Sequence, residues 1–363
     1  LIININASPY DIQKNETRKE LVMKKALKLN VPIIYLNMVG GQDELVFDGG
    51  SFVVNDLGEI IYQASSFQEE VFHLDIDLKI KKQNSKSSLT TRPKTTELKD
   101  VKSKPSLSEN ESIYSALKLG LLDYVSKNKF TKVLIGISGG IDSALTAAIC
   151  VDALGSENVL GVAMPSKYNS KESLEDAITL SDNLGINLKI IEIEKIVDSF
   201  REVLANSLKE ELGQITDENI QSRVRGNILM GLSNQTGAMV VSTGNKSEMA
   251  VGYSTLYGDL AGGFALIKDL YKTKVYELSN YRNSISDAIP ENIISKEPSA
   301  ELRPNQFDSD SLPDYEVLDK ILNLYIEEDS SSERIIASGV QPGLVYDVLE
   351  KVDRNEYKRK QVA

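Results

Sequence analysis

The stretch from Val133 to Ala148, VLIGISGGIDSALTAA, constrains the fold of this chain more than any other. VLIGI is a run of β-formers long enough for one fully buried strand. It breaks at Ser138-Gly139-Gly140 and resumes as an Ala-rich, apolar helical pattern. A strand, a turn of small residues and a helix present free backbone N–H groups and the positive end of a helix dipole to an anion. Gly139 and Gly140 permit positive φ and close approach of a ligand to the backbone, while Ser138 and Ser143 add hydroxyl donors. Asp142 is out of keeping, because a carboxylate in an anion cradle repels phosphate unless a cation bridges the two. That combination points to a polyphosphate carrying Mg²⁺. The spacing is neither that of a Walker P-loop nor G-x-G-x-x-G. A glycine-rich strand–helix turn with no ligand is the alternative.

With 363 residues the chain is expected to hold about two domains. A hydrophobic content of 41% and a charged content of 26% are ordinary for globular proteins. The net charge of −12 argues against a nucleic-acid-binding surface. No apolar run approaches the ~20 residues that span a bilayer, and no signal peptide is evident. The single cysteine, Cys150, excludes an intrachain disulfide and fits a reducing compartment, so a cytoplasmic protein is expected. Cys150 follows Ala147, Ala148 and Ile149 and reads as a small buried hydrophobe. The lone His73, without a second His or Cys to join it, reads as a satisfied structural histidine. The chain opens on Leu1 within the apolar run LIININA, as expected of a fragment.

Residues 1–80 read as one unit. LIINI is expected to be a buried strand, Thr17 to Asn30 an amphipathic helix, and VPIIYLNMV a second buried strand. The segment GGQDELVFDGG is expected to be a loop, followed by strands SFVVN and EIIYQA about the turn Asn55-Asp56-Leu57-Gly58. Residues 81–110, rich in Lys, Ser and Thr, read as a partly disordered linker. Residues 111–363 alternate strands with helices. Helices are expected at Tyr114–Lys127, Lys171–Leu184, Val197–Leu212 and Glu218–Ser233, and strands at 132–137, 158–164, 188–193 and 237–243. Repeated βα units imply a parallel sheet covered on both faces, with ligands beyond the carboxyl ends of the strands. The 138–143 loop and Thr243 occupy such positions.

Four further clusters carry polar chemistry. In ENIQSRVR, expected to open a helix after Thr216, Asn219 and Arg223 share a face, and two arginines suit phosphate or carboxylate recognition. A solvated helical charge run is the plainer reading. STGNKSE follows a buried strand, so Thr243 or Asn245 can be an N-cap, and Glu248 one turn on can hold a metal or accept from a ligand. GYSTLYGDLAGG (252–263) suits a loop that packs an aromatic ring or closes over substrate, or a plain surface loop. Lys272-Thr273 and the segment PSAELRP with Asp308, Asp310 and Ser311 read as ordered loop.

Taken together and in this order, SGGIDS, ENIQSRVR, STGNKSE, GYSTLYGDLAGG, LYKTKVYEL, PSAELRPNQFDSDSLPDY and EYKRK resemble the NAD⁺ synthetases, from about Lys132 to Lys360. SGGIDS also looks like the pyrophosphate loop of the wider ATP pyrophosphatases. The first unit, with NASPY and VPIIYLNMVGGQDELVFDGGS, resembles the end of the nitrilase-like glutaminase domain of the glutamine-hydrolysing form. The resemblance implies an α/β fold: a doubly wound parallel sheet of the adenine-nucleotide alpha-hydrolase-like type, preceded by the C-terminal part of a nitrilase-like αββα domain. It implies ATP-dependent amidation of deamido-NAD⁺ through an adenylated intermediate, and a homo-oligomer that is at least a dimer. By similarity, Gly136, Ile137, Ser138, Gly139, Gly140, Ile141, Asp142 and Ser143 cradle ATP, joined by Thr243, Lys272 and Ser299. Asp142 and Glu248 match the Mg²⁺ ligands, while Asn219, Arg223, Glu248 and Lys358 match positions on deamido-NAD⁺; Glu248 stays open between the two roles.

Two departures matter. The family's glutaminase uses a Glu–Lys–Cys triad whose cysteine precedes the NASPY segment, and no cysteine precedes Cys150 here. Ser8 and Lys14 match positions of the glutamine pocket and are expected to be a remnant, leaving ammonia as the nitrogen source for this chain. Relatives continue beyond the closing KRKQVA, and often carry DEDSL where this chain has Asp308-Ser309-Asp310-Ser311-Leu312. Other ATP pyrophosphatases, such as GMP or asparagine synthetases and tRNA-thiolating enzymes, are the rival enzymes; a nucleotide-binding sensor is the nonenzymatic rival. A lone nitrilase-type amidase is excluded by the missing cysteine.

Overall fold

The computed structural model describes residues 1–76 and 103–362 and divides into two compact units, Leu1–Tyr124 and Val125–Ala363. The first contains β1 (Ile2–Asn6), α1 (Lys14–Leu29), β2 (Ile33–Asn37), β3 (Val39–Gln42), β4 (Leu45–Asp48), β5 (Phe52–Val54), β6 (Ile60–Gln63) and most of α2 (Glu109–Lys127). Its sheet has the order β1-β2-β5-β6, with β1 and β2 parallel and the remaining pairs antiparallel. Alternation along β2 and β5 sends Ile33, Tyr35, Phe52 and Val54 to one face, where Val22 and Ala26 of α1 cover them. Val53, Tyr62 and Ala64 turn to the other face.

Three expectations for this unit are corrected. Among the described residues β1 pairs with β2 alone, at the edge of the sheet, and it is exposed rather than buried, with Ile5 at 79%. GGQDELVFDGG is not a loop but most of the β3–β4 hairpin, whose register pairs Gly41 with Val46. His73 is exposed, outside any helix or strand. Most of the span read as linker, 81–102, lies outside the described residues, and α2 begins at Glu109 within its last part.

The second unit runs β7 (Val133–Gly136), α3 (Ile141–Leu154), β8 (Val159–Ala163), α4 (Lys171–Leu184), β9 (Asn187–Ile190), α5 (Glu194–Leu208) and α6 (Gln214–Thr236). It continues with β10 (Met239–Ser242), α7 (Lys246–Val251), β11 (Phe264–Ala265) and α8 (Lys272–Ile285). It closes with α9 (Glu291–Ser295), α10 (Tyr315–Leu322), α11 (Ser332–Ala337), α12 (Pro342–Arg354) and α13 (Glu356–Arg359). All five strands are parallel, in the order β11-β10-β7-β8-β9. Leu134, Val162 and Val240 pack on Val197 of α5 and on Ile220 and Val224 of α6, while α3 lies against β7 and β8. A second core, with Leu318, Ile321, Val345 and Val348 at its centre, joins α7 to α10–α12.

Boundaries shift in three instructive places. α6 begins at Gln214, so ENIQSRVR lies in its second and third turns rather than at its start. Lys272 opens α8 and is only 2% exposed, so it is not part of a loop. α5 starts at Glu194 and ends where Lys209 turns left-handed (φ 57), short of Leu212. Cys150 is fully buried in α3, and burial pushes its thiol pKa up. Among the described residues, no helix is long and apolar enough to cross a membrane.

Candidate active site

β7 and β10 are adjacent and parallel, so their carboxyl ends place the 137–140 turn and Thr243 side by side. No side chain caps α3, whose N-cap is Gly140, and its first amides are those that a helix cannot satisfy itself. The serines fold onto the loop: Ser138 Oγ and Ser143 Oγ lie 3.1 Å apart, Gly140 N donates to Ser138 Oγ at 3.2 Å, and Ser143 Oγ donates to Gly140 O at 2.9 Å. Gly139 has φ +80°, and a Cβ there would meet Ser173 O at 2.1 Å, so the turn is pressed onto the first turn of α4.

A charge cluster forms beside this loop. Asp142 Oδ1 accepts from Asn245 Nδ2 at 2.9 Å, and its Oδ2 accepts from Lys272 Nζ at 2.5 Å. Lys272 Nζ also donates to Glu248 Oε1 at 2.9 Å and lies 5.2 Å from the centre of the Tyr315 ring. Asn245 is the N-cap of α7, accepting from Glu248 N at 3.0 Å, so one side chain bonds the Asp142 carboxylate and the backbone of Glu248. Tyr315 Oη donates to Asp308 Oδ2 at 2.7 Å. Burial raises the Glu248 pKa, with the Asp142 and Asp308 charges adding to it against the pull of Lys272. Burial opposes charge on Lys272, but Asp142 and Glu248 more than offset it and its pKa is raised. Asp142 and Glu248 thus share one ammonium, with Asp308 joined to the cluster through Tyr315.

The helix α6 and the 252–263 loop meet a short distance along. Asn219 Oδ1 accepts from Thr255 Oγ1 at 2.8 Å, and Arg223 Nε donates to Leu256 O at 3.2 Å. Asp259 Oδ1 accepts from Thr255 N at 2.7 Å and Ser222 Oγ at 2.9 Å, and burial raises its pKa despite these donors. Lys358 Nζ donates to Gly252 O and Ser254 O, both at 2.7 Å, tying α13 to the base of this loop; burial lowers its pKa. Asn219, Arg223 and Lys358 therefore converge on one loop. Ser299 stands apart on the 298–304 turn, where its hydroxyl donates to Gln306 O at 2.5 Å. Lys296, just before this turn, donates from Nζ to Gly139 O of the anion loop at 3.0 Å, and Glu301 within the turn accepts from Ser173 Oγ of α4 at 2.7 Å.

In the first unit, Ser8 belongs to a buried polar network. Arg18 Nη1 spans both oxygens of Asp48 at 2.7 and 2.9 Å, and its Nε donates to Ser8 Oγ at 3.1 Å. Lys14 opens α1. Arg18 and Asp48, 30 residues apart, are not marked in the sequence, because a hydrophobic pattern carries no sign of a buried pair. Of the two N-cap candidates Thr243 and Asn245, the structure uses Asn245, which Glu248 follows three residues later.

Residues 113–362 match the family model described as NAD synthase. The glutamine-dependent NAD(+) synthetase of Thermotoga maritima is 50% identical over 385 residues, covering 100% of this chain and 66% of that protein. The structure of the glutamine-dependent NAD⁺ synthetase from Acinetobacter baumannii in complex with ADP superposes with a TM-score of 0.74 at 45% identity, over 100% of this chain and 64% of that one. The NH3-dependent NAD synthetase of Campylobacter jejuni superposes with a TM-score of 0.57 at 30% identity, over 71% of this chain and 99% of that one. The chain spans just under two thirds, 62% to 66%, of the length of the first curated relatives it matches. With a parallel sheet, its serine-lined loop and the carboxylates beside it all lying inside the matched residues, the chain belongs to the NAD synthase family.

Proposed function

We propose that the chain catalyses the ATP-dependent amidation of deamido-NAD⁺ to NAD⁺ through an adenylated carboxylate, releasing AMP and pyrophosphate. The convergence of Asp142, Glu248 and Lys272 beside the Ser138–Ser143 turn carries this reading. Relatives named glutamine-dependent NAD(+) synthetase, 43% to 50% identical, support it. The Campylobacter jejuni neighbour, named NH3-dependent, supports ammonia as the nitrogen donor used by residues 111–363. Residues 1–80 are read as the last part of a nitrilase-like glutaminase domain and 81–110 as the linker, with glutamine as the nitrogen source of a longer protein.

In this reading the amides and hydroxyls from Gly136 to Ser143 hold the ATP phosphates, and Ser138 and Ser143 exchange their mutual hydrogen bond for phosphate oxygens. Lys272, Thr243 and Ser299 complete the ATP contacts. Asp142 and Glu248 are the pair that would hold Mg²⁺, since hard carboxylate oxygens plus substrate phosphates are the donor set this ion takes. When bound, the ion neutralises charge on the transferring phosphates. Asn219, Arg223 and Lys358 hold deamido-NAD⁺ against the 252–263 loop. The nicotinate carboxylate oxygen attacks the α-phosphorus as its bond to the bridging oxygen breaks, and pyrophosphate stays in the loop. Ammonia then adds to the activated carbonyl carbon, loses a proton, and AMP departs with the former carboxylate oxygen. Holding the two substrates together converts their encounter into an effectively unimolecular step.

Isotopic labelling of the nicotinate carboxylate oxygens tests the sequence of steps. One labelled oxygen is expected in the AMP phosphate. AMP without label, formed alongside NAD⁺, contradicts adenylation of the carboxylate.

A further inference from the structure

We infer that Asp319 is a positioning residue that sets Lys272 between Asp142 and Glu248 by joining the first turns of α7 and α8. This inference rests on the reading of Lys272 as an ATP contact. α8 has no N-cap side chain of its own, since Tyr271 supplies none. Its first two amides are instead satisfied from neighbouring helices. Lys272 N donates to Ser247 Oγ of α7 at 2.8 Å, and Thr273 N donates to Asp319 Oδ2 of α10 at 2.9 Å. The circuit closes because Ser247 Oγ itself donates to Asp319 Oδ1. Ser247 is fully buried and Asp319 is 6% exposed, so water offers no substitute for these bonds.

The placement of the three groups gives the circuit its reach. Ser247 immediately precedes Glu248, and Lys272 is the first residue of α8, so Asp319 fixes the backbone on which both ionic partners stand. Asp319 and Tyr315 are four residues apart on α10 and share a face. Through Tyr315, the same face lies under the Lys272 ammonium and reaches Glu248 Oε1 at 3.5 Å. Ser247 Oγ and Thr273 N both donate to Asp319, one to each carboxylate oxygen. An amide that keeps the Thr273 bond turns its NH2 toward Ser247 Oγ, so that the hydroxyl must rotate and the charge that strengthens both bonds is lost.

Equilibrium ATP binding, followed by titration calorimetry on the chain of residues 1–363, separates positioning from general support of the fold. Asp319→Asn is expected to weaken ATP binding about tenfold, the worth of roughly one buried hydrogen bond to a charged group. Ser247→Ala breaks the same circuit without touching a charge and is expected to reproduce the loss, which covers the case in which Asp319→Asn does not fold. In a Lys272→Met background, Asp319→Asn is expected to add less than about twofold, because residues that act through one another are not additive. An undiminished loss in that background, or no loss in the folded single variants while Lys272→Met binds weakly, overturns the positioning role alone. Wild-type ATP binding by Lys272→Met overturns both this role and the reading of the site beneath it.

Discussion

Asp259 shows how a side chain can serve the site at the expense of the fold. It is buried at the centre of the 252–263 loop, accepting from Thr255 N and Ser222 Oγ, yet its pKa is raised because burial outweighs those donors. A carboxyl group with a raised folded-state pKa lends its full stability below the unfolded value of about 3.9, and loses it as pH rises through the folded value. Asparagine keeps the accepting oxygen and carries no charge to desolvate. Asp259→Asn is therefore expected to melt at or above the wild-type temperature at pH about 8, with the difference shrinking as pH falls toward about 4. A difference that widens on acidification, measured by calorimetry, contradicts this. At this scale the sequence was informative where chemistry is local. Ser138, Asp142 and Ser143 stand out within one turn, whereas the Lys272 contact to Asp142 joins residues 130 positions apart and has no signal in the sequence, where family resemblance gives Lys272 only as a contact to ATP. Asn245, which bonds both the Asp142 carboxylate and the Glu248 backbone, looked like an ordinary cap because its second contact is 103 residues away.

Short elements positioned by their ends dominate the site. The 137–140 turn depends on Gly139, whose positive φ and contact with Ser173 leave no space for a side chain. Gly139→Ala is expected to lower the melting temperature by at least about 5 °C, through left-handed strain and displacement of the turn, and to abolish measurable ATP binding. Retained melting temperature and binding would show that the turn yields without cost. α7 is only six residues long and is held at its N-terminus by Asn245 and at its C-terminus by α13. Asn355, Lys358 and Arg359 donate to the carbonyls of Val251, Gly252 and Ala250, which the helix leaves unpaired. The bonding of Lys358 to two carbonyls gives it a structural task alongside any ligand contact. Element types were legible wherever periodicity was long, as in α4, expected and found at Lys171–Leu184. They failed where four-residue strands sit between glycines, as in the β3–β4 hairpin, and where polar residues extend a helix, as at the start of α6. The burial of β1 was misjudged because an apolar run does not reveal whether its strand is central or at the edge.

For the whole molecule, alternation of strands and helices sufficed to anticipate the all-parallel sheet of the second unit, since a parallel sheet requires crossover helices, and the candidate site is read at the strands' carboxyl ends. Strand order was not legible, because β10 pairs with β7 across more than a hundred residues of chain. That pairing brings the serine-lined turn next to Thr243 and α7, and so assembles the cluster on which the proposed reaction depends. The one cysteine of the sequence, Cys150, is buried in α3, and the proposed function takes ammonia as the nitrogen donor of residues 111–363. The most direct measurement is NAD⁺ and AMP formation by residues 1–363 from ATP and deamido-NAD⁺ with Mg²⁺, supplying either ammonium or glutamine. NAD⁺ and AMP are expected in equal amounts with ammonium, and neither with glutamine. A folded chain that binds ATP and makes no NAD⁺ with ammonium, or one that uses glutamine as readily, would contradict the proposed function.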